Sequence, residues 1–277
     1  MTEQLGRRGA LVMLASMTLA VAMGLMAWGP VELTPDSHRY ADERVWLGVP
    51  AAANVWVNAA MFAAGAWGWY ATRASRWLLG LRTPWQLFHV CAMVSAGAAA
   101  LYHAHPQDTL FVLTHVATAS GFAMLTLGLL AERVHSSFGS LRVCCVVLLG
   151  IALTGSGMLL IHARSGSLDM RPLLLLQIIP VLVIPAGALS LPGRSTAVFD
   201  WVVVLTLYAL GKVLEMGDAF ILQASGWISG HTMMHLALTS AVGWMAYRAV
   251  LAGDAAESAG ETSGETNQRD TSLNTVS

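Results

Sequence analysis

Charge is what this sequence has least of. Only 11% of its 277 residues are Asp, Glu, Lys or Arg, against about 25% in an ordinary soluble domain. A water-facing globular surface cannot be built at that density. No basic patch occurs, which removes the electrostatic footprint of a nucleic-acid binder. Cysteine is scarce as well: Cys91, Cys144 and Cys145 all fall inside apolar runs and no CxxC occurs, so a disulfide framework is not indicated. Neither an internal repeat nor a strand-like alternation competes with helix.

What is present is apolar. Hydrophobic residues make up 56% of the chain and the mean hydropathy is +0.60. Uncharged runs recur at 11–29, 45–72, 83–107, 109–131, 143–163, 172–193 and 219–247, each near or above the about 20 residues that a membrane span needs. An eighth stretch, 197–216, has an apolar middle, with Asp200 near one end and Lys212 and Glu215 near the other. The expected fold class is therefore all-α: a polytopic membrane helix bundle. Residues 1–30 form an N-terminal transmembrane helix and 31–252 the main membrane domain. The segment 253–277, acidic and rich in Ser, Thr and Gly, is expected to be a disordered tail.

With the N-terminus inside, the inner segments hold Arg7, Arg8, Arg73, Arg76, Arg82, Arg133, Arg142, Arg194 and Arg248. The outer loops hold Arg39, Arg44, Arg164, Arg171 and Lys212. This bias places both termini inside, in a multi-pass protein of, by expectation, a bacterial inner membrane. The first segment follows Arg7-Arg8 as a signal sequence would. Its run is long, however, and no small-x-small cleavage site follows Trp28, so it is read as a retained helix.

Histidine in hydrocarbon is costly, which makes "SGHTMMHLALTSAVGW" (229–244) the segment to explain. His231 and His235 lie four apart, on one helical face. In the expected topology they occupy the outer part of the last helix, and His103 the outer end of the third. Three imidazoles and a water form a common catalytic zinc environment. HxxxH without the glutamate of HExxH is a weak signal by itself, and a helix histidine often only packs.

"YHAHP" (102–106), followed far along the chain by "SGHTMMH" (229–235), resembles the alkaline ceramidase family and the wider CREST superfamily of seven-helix membrane hydrolases. "KVLEMGDAFILQASGWISGHTMMHLALTSA" (212–241) is the most specific part of the likeness. "RYADERVWLGVPAAANVWVNAAMFAAG" (39–65), with Asp42, Pro50 and Asn58, is similar to the segment that introduces the first family helix. The resemblance implies that 31–252 is a seven-helix ceramidase-like domain with the first helix as an extra element. It further implies that His103, His231 and His235 bind Zn2+, and that zinc-bound hydroxide attacks the carbonyl of a membrane-lipid amide.

Two positions depart from the family pattern. A serine four residues before the first histidine is here Ala99, and an aspartate eleven residues after it is here Thr114. Alanine can neither position water nor move a proton, and threonine is no base near neutral pH. His105, His115 and Asp108 are the candidate substitutes. Glu215 and Asp218 share their outer layer, as do Asp42 and Asn58. No calcium site is carried over, because the family's acidic cluster is not matched.

The alternative is a catalytically degenerate protein, stapled by zinc, that binds a lipid as a sensor or receptor. A haem reading would use His89 and His103, about 21 Å apart along one helix, but no facing helix offers a matching pair. A transporter reading would need broken helices with buried acids. Pro180 and Pro185 have no such company and are read as kinks.

Overall fold

The structure is a computed structural model that describes the backbone of residues 2–74 and 80–273 and the side chains of 6–73 and 80–252. Arg76 and Trp77 lie outside the described residues. Among the described residues the chain is all-helical, with two isolated bridges and no strand. The helices are α1 (Thr2–Trp28), α2 (Ala52–Ala74), α3 (Arg82–Ala104), α4 (Asp108–Arg133), α5 (Leu141–Ser165), α6 (Arg171–Ser190), α7 (Val198–Met216), α8 (Asp218–Ser225) and α9 (Gly230–Leu273).

Five of them, α1, α3, α4, α5 and α6, are long and apolar enough to cross a membrane. The chain is a multi-pass helical membrane protein. Six helices close a ring in the order α2, α3, α4, α6, α7, α9 and back to α2. α5 leans on α4, and α1 packs on α6, both outside the ring. Exposure follows this placement: half of the most apolar window of α3 is buried, but only 11% of that of α1.

Local chemistry explains most helix ends. α5 starts at Ser140, whose hydroxyl accepts the Val143 N–H, and stops at Gly166 in the left-handed region. α7 starts where the Asp200 carboxylate accepts the Ala197 N–H, and the same carboxylate receives Arg248 and Trp244 from α9. α6 continues through both Pro180 and Pro185 as one helix. Close packing relies on small residues. A Cβ at Gly68 would lie 2.1 Å from the His89 ring, so α2 and α3 approach there only because that side chain is missing.

Three expected boundaries change. The run 45–72 becomes helical only at Ala52, because Leu47, Gly48 and Ala51 adopt positive φ and turn the chain first. The run 219–247 is two helices, α8 and α9, parted after Gly226 at φ 75°. The backbone of α9 runs on to Leu273 through the segment expected to be a disordered tail; its side chains from 253 lie outside the described residues.

Connectivity places the end of α3, the starts of α2, α4, α6 and α9 and the end of α7 at one end of the bundle. The loop 29–51 is fastened across this end. The Leu33 N–H donates to Leu168 O at 2.9 Å, the Met170 N–H to Val31 O at 2.7 Å, and Arg44 reaches Trp227 O at 2.7 Å.

Candidate metal centre

His103 in the last turn of α3 meets His231 and His235 in the first two turns of α9. All three are buried. The Nε2 of His103 stands 3.2 Å from that of His235 and 3.4 Å from that of His231, and one nitrogen from each ring lies within 4.8 Å of the other two. Zinc–nitrogen bonds of about 2.0–2.1 Å at tetrahedral angles separate ligand nitrogens by about 3.3–3.4 Å. The two shortest separations therefore already match one metal ion bound by three imidazoles. Direct hydrogen bonding satisfies the group poorly, since a neutral imidazole has one N–H and one acceptor, while His103 faces two partners and its Nδ1 is buried without any. The three residues fit a metal.

The backbone is built to hold this geometry. Asp218, the first residue of α8, accepts the His231 N–H on Oδ1 at 2.8 Å and the Ala41 N–H on Oδ2 at 2.9 Å. One carboxylate thus fixes the start of the ligand helix and the loop above it. Gly230 permits the approach: a Cβ there would lie 2.1 Å from Leu214 O and 2.8 Å from Asp218 Cα. One turn further on, the Thr232 hydroxyl donates to Asn54 of α2 at 2.6 Å.

The triad lines a cavity of about 470 Å³ together with Tyr40, Asn58, Ala99, Thr114, His115, Lys212, Glu215 and Asp218. Below it lies a narrower pocket of about 130 Å³, lined largely by apolar residues including Phe88, Cys91, Leu125, Val204 and Val242. Met61, Ser95, Thr118, Tyr208 and Leu238 border both spaces. A polar chamber at one end of the ring therefore borders an apolar slot among the helices.

The candidate substitutes separate clearly. His115 lines the cavity, as does its neighbour Thr114 a helical step of about 100° before it. Its Nδ1 lies 2.9 Å from Phe111 O, and because a carbonyl only accepts, that nitrogen carries the proton and Nε2 is left as an acceptor. The Thr114 hydroxyl lines the cavity too, but donates to Leu110 O at 2.9 Å. Glu215 pairs with Lys212 at 2.7 Å, and Asn58 donates to Asn54 O at 2.7 Å. His105 is a correction: it caps α3, exposed, and does not bend into the cavity. Asp108 is outside the cavity lining also, held by His38 Nε2 at 2.8 Å and His162 Nε2 at 2.9 Å. Asp42 is buried, away from the cavity lining, and receives the Arg44 guanidinium and backbone N–H. Those bonds hold its carboxyl below the ordinary range.

His89 closes the haem reading among the described residues. Its ring is enclosed against Gly68, and neither nitrogen has a partner or a lining position in either space.

The residue that sequence reasoning missed is Tyr40. Its ring lies 4.7 Å from that of His103 and 4.4 Å from that of His231, so it covers the triad. Burial, then the Tyr102 hydroxyl and the Glu215 and Asp218 carboxylates, push its phenol upward, which keeps it a donor at neutral pH. The Tyr40 ring also meets that of Tyr102 edge-on at 6.2 Å. Tyr102 in turn lies 2.9 Å from His38 Nδ1, and His38 Nε2 donates to Asp108. A carboxylate only accepts, so His38 carries a proton on Nε2. Hydrogen bonds thus run from Tyr102, which packs beside the Tyr40 roof, through His38 to a half-exposed carboxylate. Tyr40 stands in the segment quoted for Asp42 and His38 directly before it, but no spacing rule aims a loop tyrosine at a helix pair.

No protein-family model matches the chain, and neither a curated protein nor a solved structure does.

Proposed function

We propose that this chain is a zinc-dependent membrane hydrolase acting on a lipid amide, similar in kind to the alkaline ceramidases. The observation that carries the reading is the set of three buried imidazoles, with His103 Nε2 at 3.2 and 3.4 Å from the Nε2 atoms of His235 and His231, inside a polar chamber that borders an apolar slot. Bound there, zinc would supply a Lewis acid and lower the pKa of a coordinated water to around 7. The chamber suits the polar linkage of a lipid and the slot its hydrocarbon. His115 offers an acceptor toward the chamber through Nε2. Tyr40, whose ring lies over those of His103 and His231, takes the role of donor to the leaving amine that Ala99 and Thr114 leave unfilled. The arginine bias supports a site on the outer side with both termini inside.

Metal content of the purified protein, wild type beside His231→Ala, tests the centre. About one zinc per chain, absent from the variant, is expected. A well-folded wild type without metal refutes it. Turnover of N-acyl sphingoid lipids by the metal-loaded protein then tests the activity. A second reading, a zinc-stapled lipid sensor, is favoured by the Ala99 methyl in the chamber wall and by the Thr114 hydroxyl being occupied by Leu110 O. It predicts lipid binding without turnover.

A further inference from the structure

The largest of the cavities described lies at the opposite end of the bundle from the histidines, with a volume of about 750 Å³. It is framed by the start of α1 (Gly6, Arg7), the end of α4 (Glu132 to Val134) with His135 and Ser136, and the end of α6 with the loop to Arg194. Each of these helices is a span in its own right. Three spans ending around one cavity put it at the depth where hydrocarbon gives way to headgroups.

Its charge is one-sided. Arg7, Arg133 and Arg194 line it against a single carboxylate, that of Glu132. Glu132 is already occupied, accepting the N–H groups of Arg194 at 2.8 Å, Thr196 at 2.7 Å and Ser195. Arg133 is occupied too: it is buried and donates to Ala188 O at 3.1 Å, Leu191 O and Thr196 O at 2.8 Å. This buried pair moulds the 191–196 loop. Arg7 and Arg194 remain, both exposed on the cavity rim. Arg7 makes one bond, to Val134 O, and among the described residues neither arginine has a carboxylate partner.

The wall on one side is α1, which packs on α6 and is little buried elsewhere. The cavity consequently lies at the edge of the bundle, behind a helix whose other faces are turned to the bilayer. Guanidinium groups at headgroup depth, at the edge of the bundle, suit a phosphate carrying acyl chains.

We propose that this cavity binds the headgroup of an anionic phospholipid, with Arg7 and Arg194 as its phosphate ligands, and that the lipid ties α1 to the ring. The site is independent of the histidine centre.

The test uses the full chain in detergent, titrated with phosphatidylglycerol or phosphatidylcholine and followed by native mass spectrometry and thermal melting. Phosphatidylglycerol is expected to bind and to raise the melting temperature, phosphatidylcholine not. Arg7→Gln/Arg194→Gln is expected to weaken retention about thirtyfold, from the interfacial attraction of two arginines. Arg73→Gln/Arg142→Gln removes equal charge from the same end without touching the cavity, and is expected to leave binding intact. An equal loss in that control would show a diffuse surface potential and overturn the site. Equal binding of phosphatidylcholine, no lipid binding, or reproduction of the melting shift by inorganic phosphate alone would each overturn it too.

Discussion

Gly230→Ala probes the link between packing and the metal centre most sharply. The added Cβ would lie 2.1 Å from Leu214 O, 2.8 Å from Asp218 Cα and 2.9 Å from Asp218 N. A carbon and a carbonyl oxygen rest at about 3.3 Å or more, so the start of α9 and the end of α7 must part by about 1 Å. All three atoms are backbone, and no rotamer change relieves them. The displacement also pulls His231 N–H from Asp218, whose other oxygen holds Ala41. Overpacking of this kind costs about 1–3 kcal/mol. Ligand distances must hold within about 0.2 Å for a metal site, and loss of an orienting contact typically weakens metal binding about 10–100-fold. Competition with a chelator measures the affinity, and thermal melting the stability. Gly243→Ala is the control, since nothing lies within 4 Å of its Cβ position; metal binding is expected to be unchanged. If Gly230→Ala bound zinc as wild type does, the close contact of α7, α8 and α9 would not be what sets the triad.

Tyr40→Phe is expected to leave metal content intact and lower amide turnover about 10²-fold or more, read from steady-state kinetics beside metal analysis; unchanged turnover would remove Tyr40 from the reaction. Acid should loosen the loop over the triad. Arg44 holds the Asp42 carboxyl below its ordinary range, and Arg171 does the same for Asp169, which also receives Val31 N–H. Both groups contribute stability above the unfolded carboxyl pKa of about 4, and that contribution is lost as pH falls through their lower folded values. The melting temperature should therefore fall more steeply below about pH 4 in wild type than in Asp42→Asn; identical acid limbs would refute this.

The parts legible from the sequence were those written in long patterns. Apolar runs announce helices because hydrocarbon forces the backbone to satisfy itself, and helix direction then puts the end of α3 and the start of α9 at one end. Short-range turns were not legible. Val45 to Ala51 is as apolar as the helix after it, and only the positive φ of Leu47, Gly48 and Ala51 shows that the chain turns there. The break before α9 was marked by Gly226, near which the last helix was expected to enter, but the short helix α8 ahead of it was hidden within the same uncharged run. Loop side chains were the least predictable. His105 and Asp108 flank His103 in sequence, yet the cap of α3 turns the first outward, and His38 and His162 claim the second.

Ala99 and Thr114 look like losses when the site is judged by the helices that carry its ligands. The loop 29–51 changes that judgement. Asp218 holds Ala41 with one oxygen and His231 with the other, so the neighbour of Tyr40 and the backbone of a triad histidine hang from the same carboxylate. Tyr40 is therefore fixed relative to the triad by two bonds of backbone, a precision that a loop tyrosine ordinarily lacks. Behind it, Tyr102 and His38 lead to Asp108, a carboxylate also bonded to α5 through His162. A hydroxyl on α3 and a carboxylate on α4 would each approach the metal from the ring wall. Here a tyrosine lies over the triad, and the carboxylate stands behind it on the outer edge of the same two helices. In the proposed reaction Tyr40 serves the chamber only while the loop stays closed, so conditions that free the loop should abolish turnover before they release the metal.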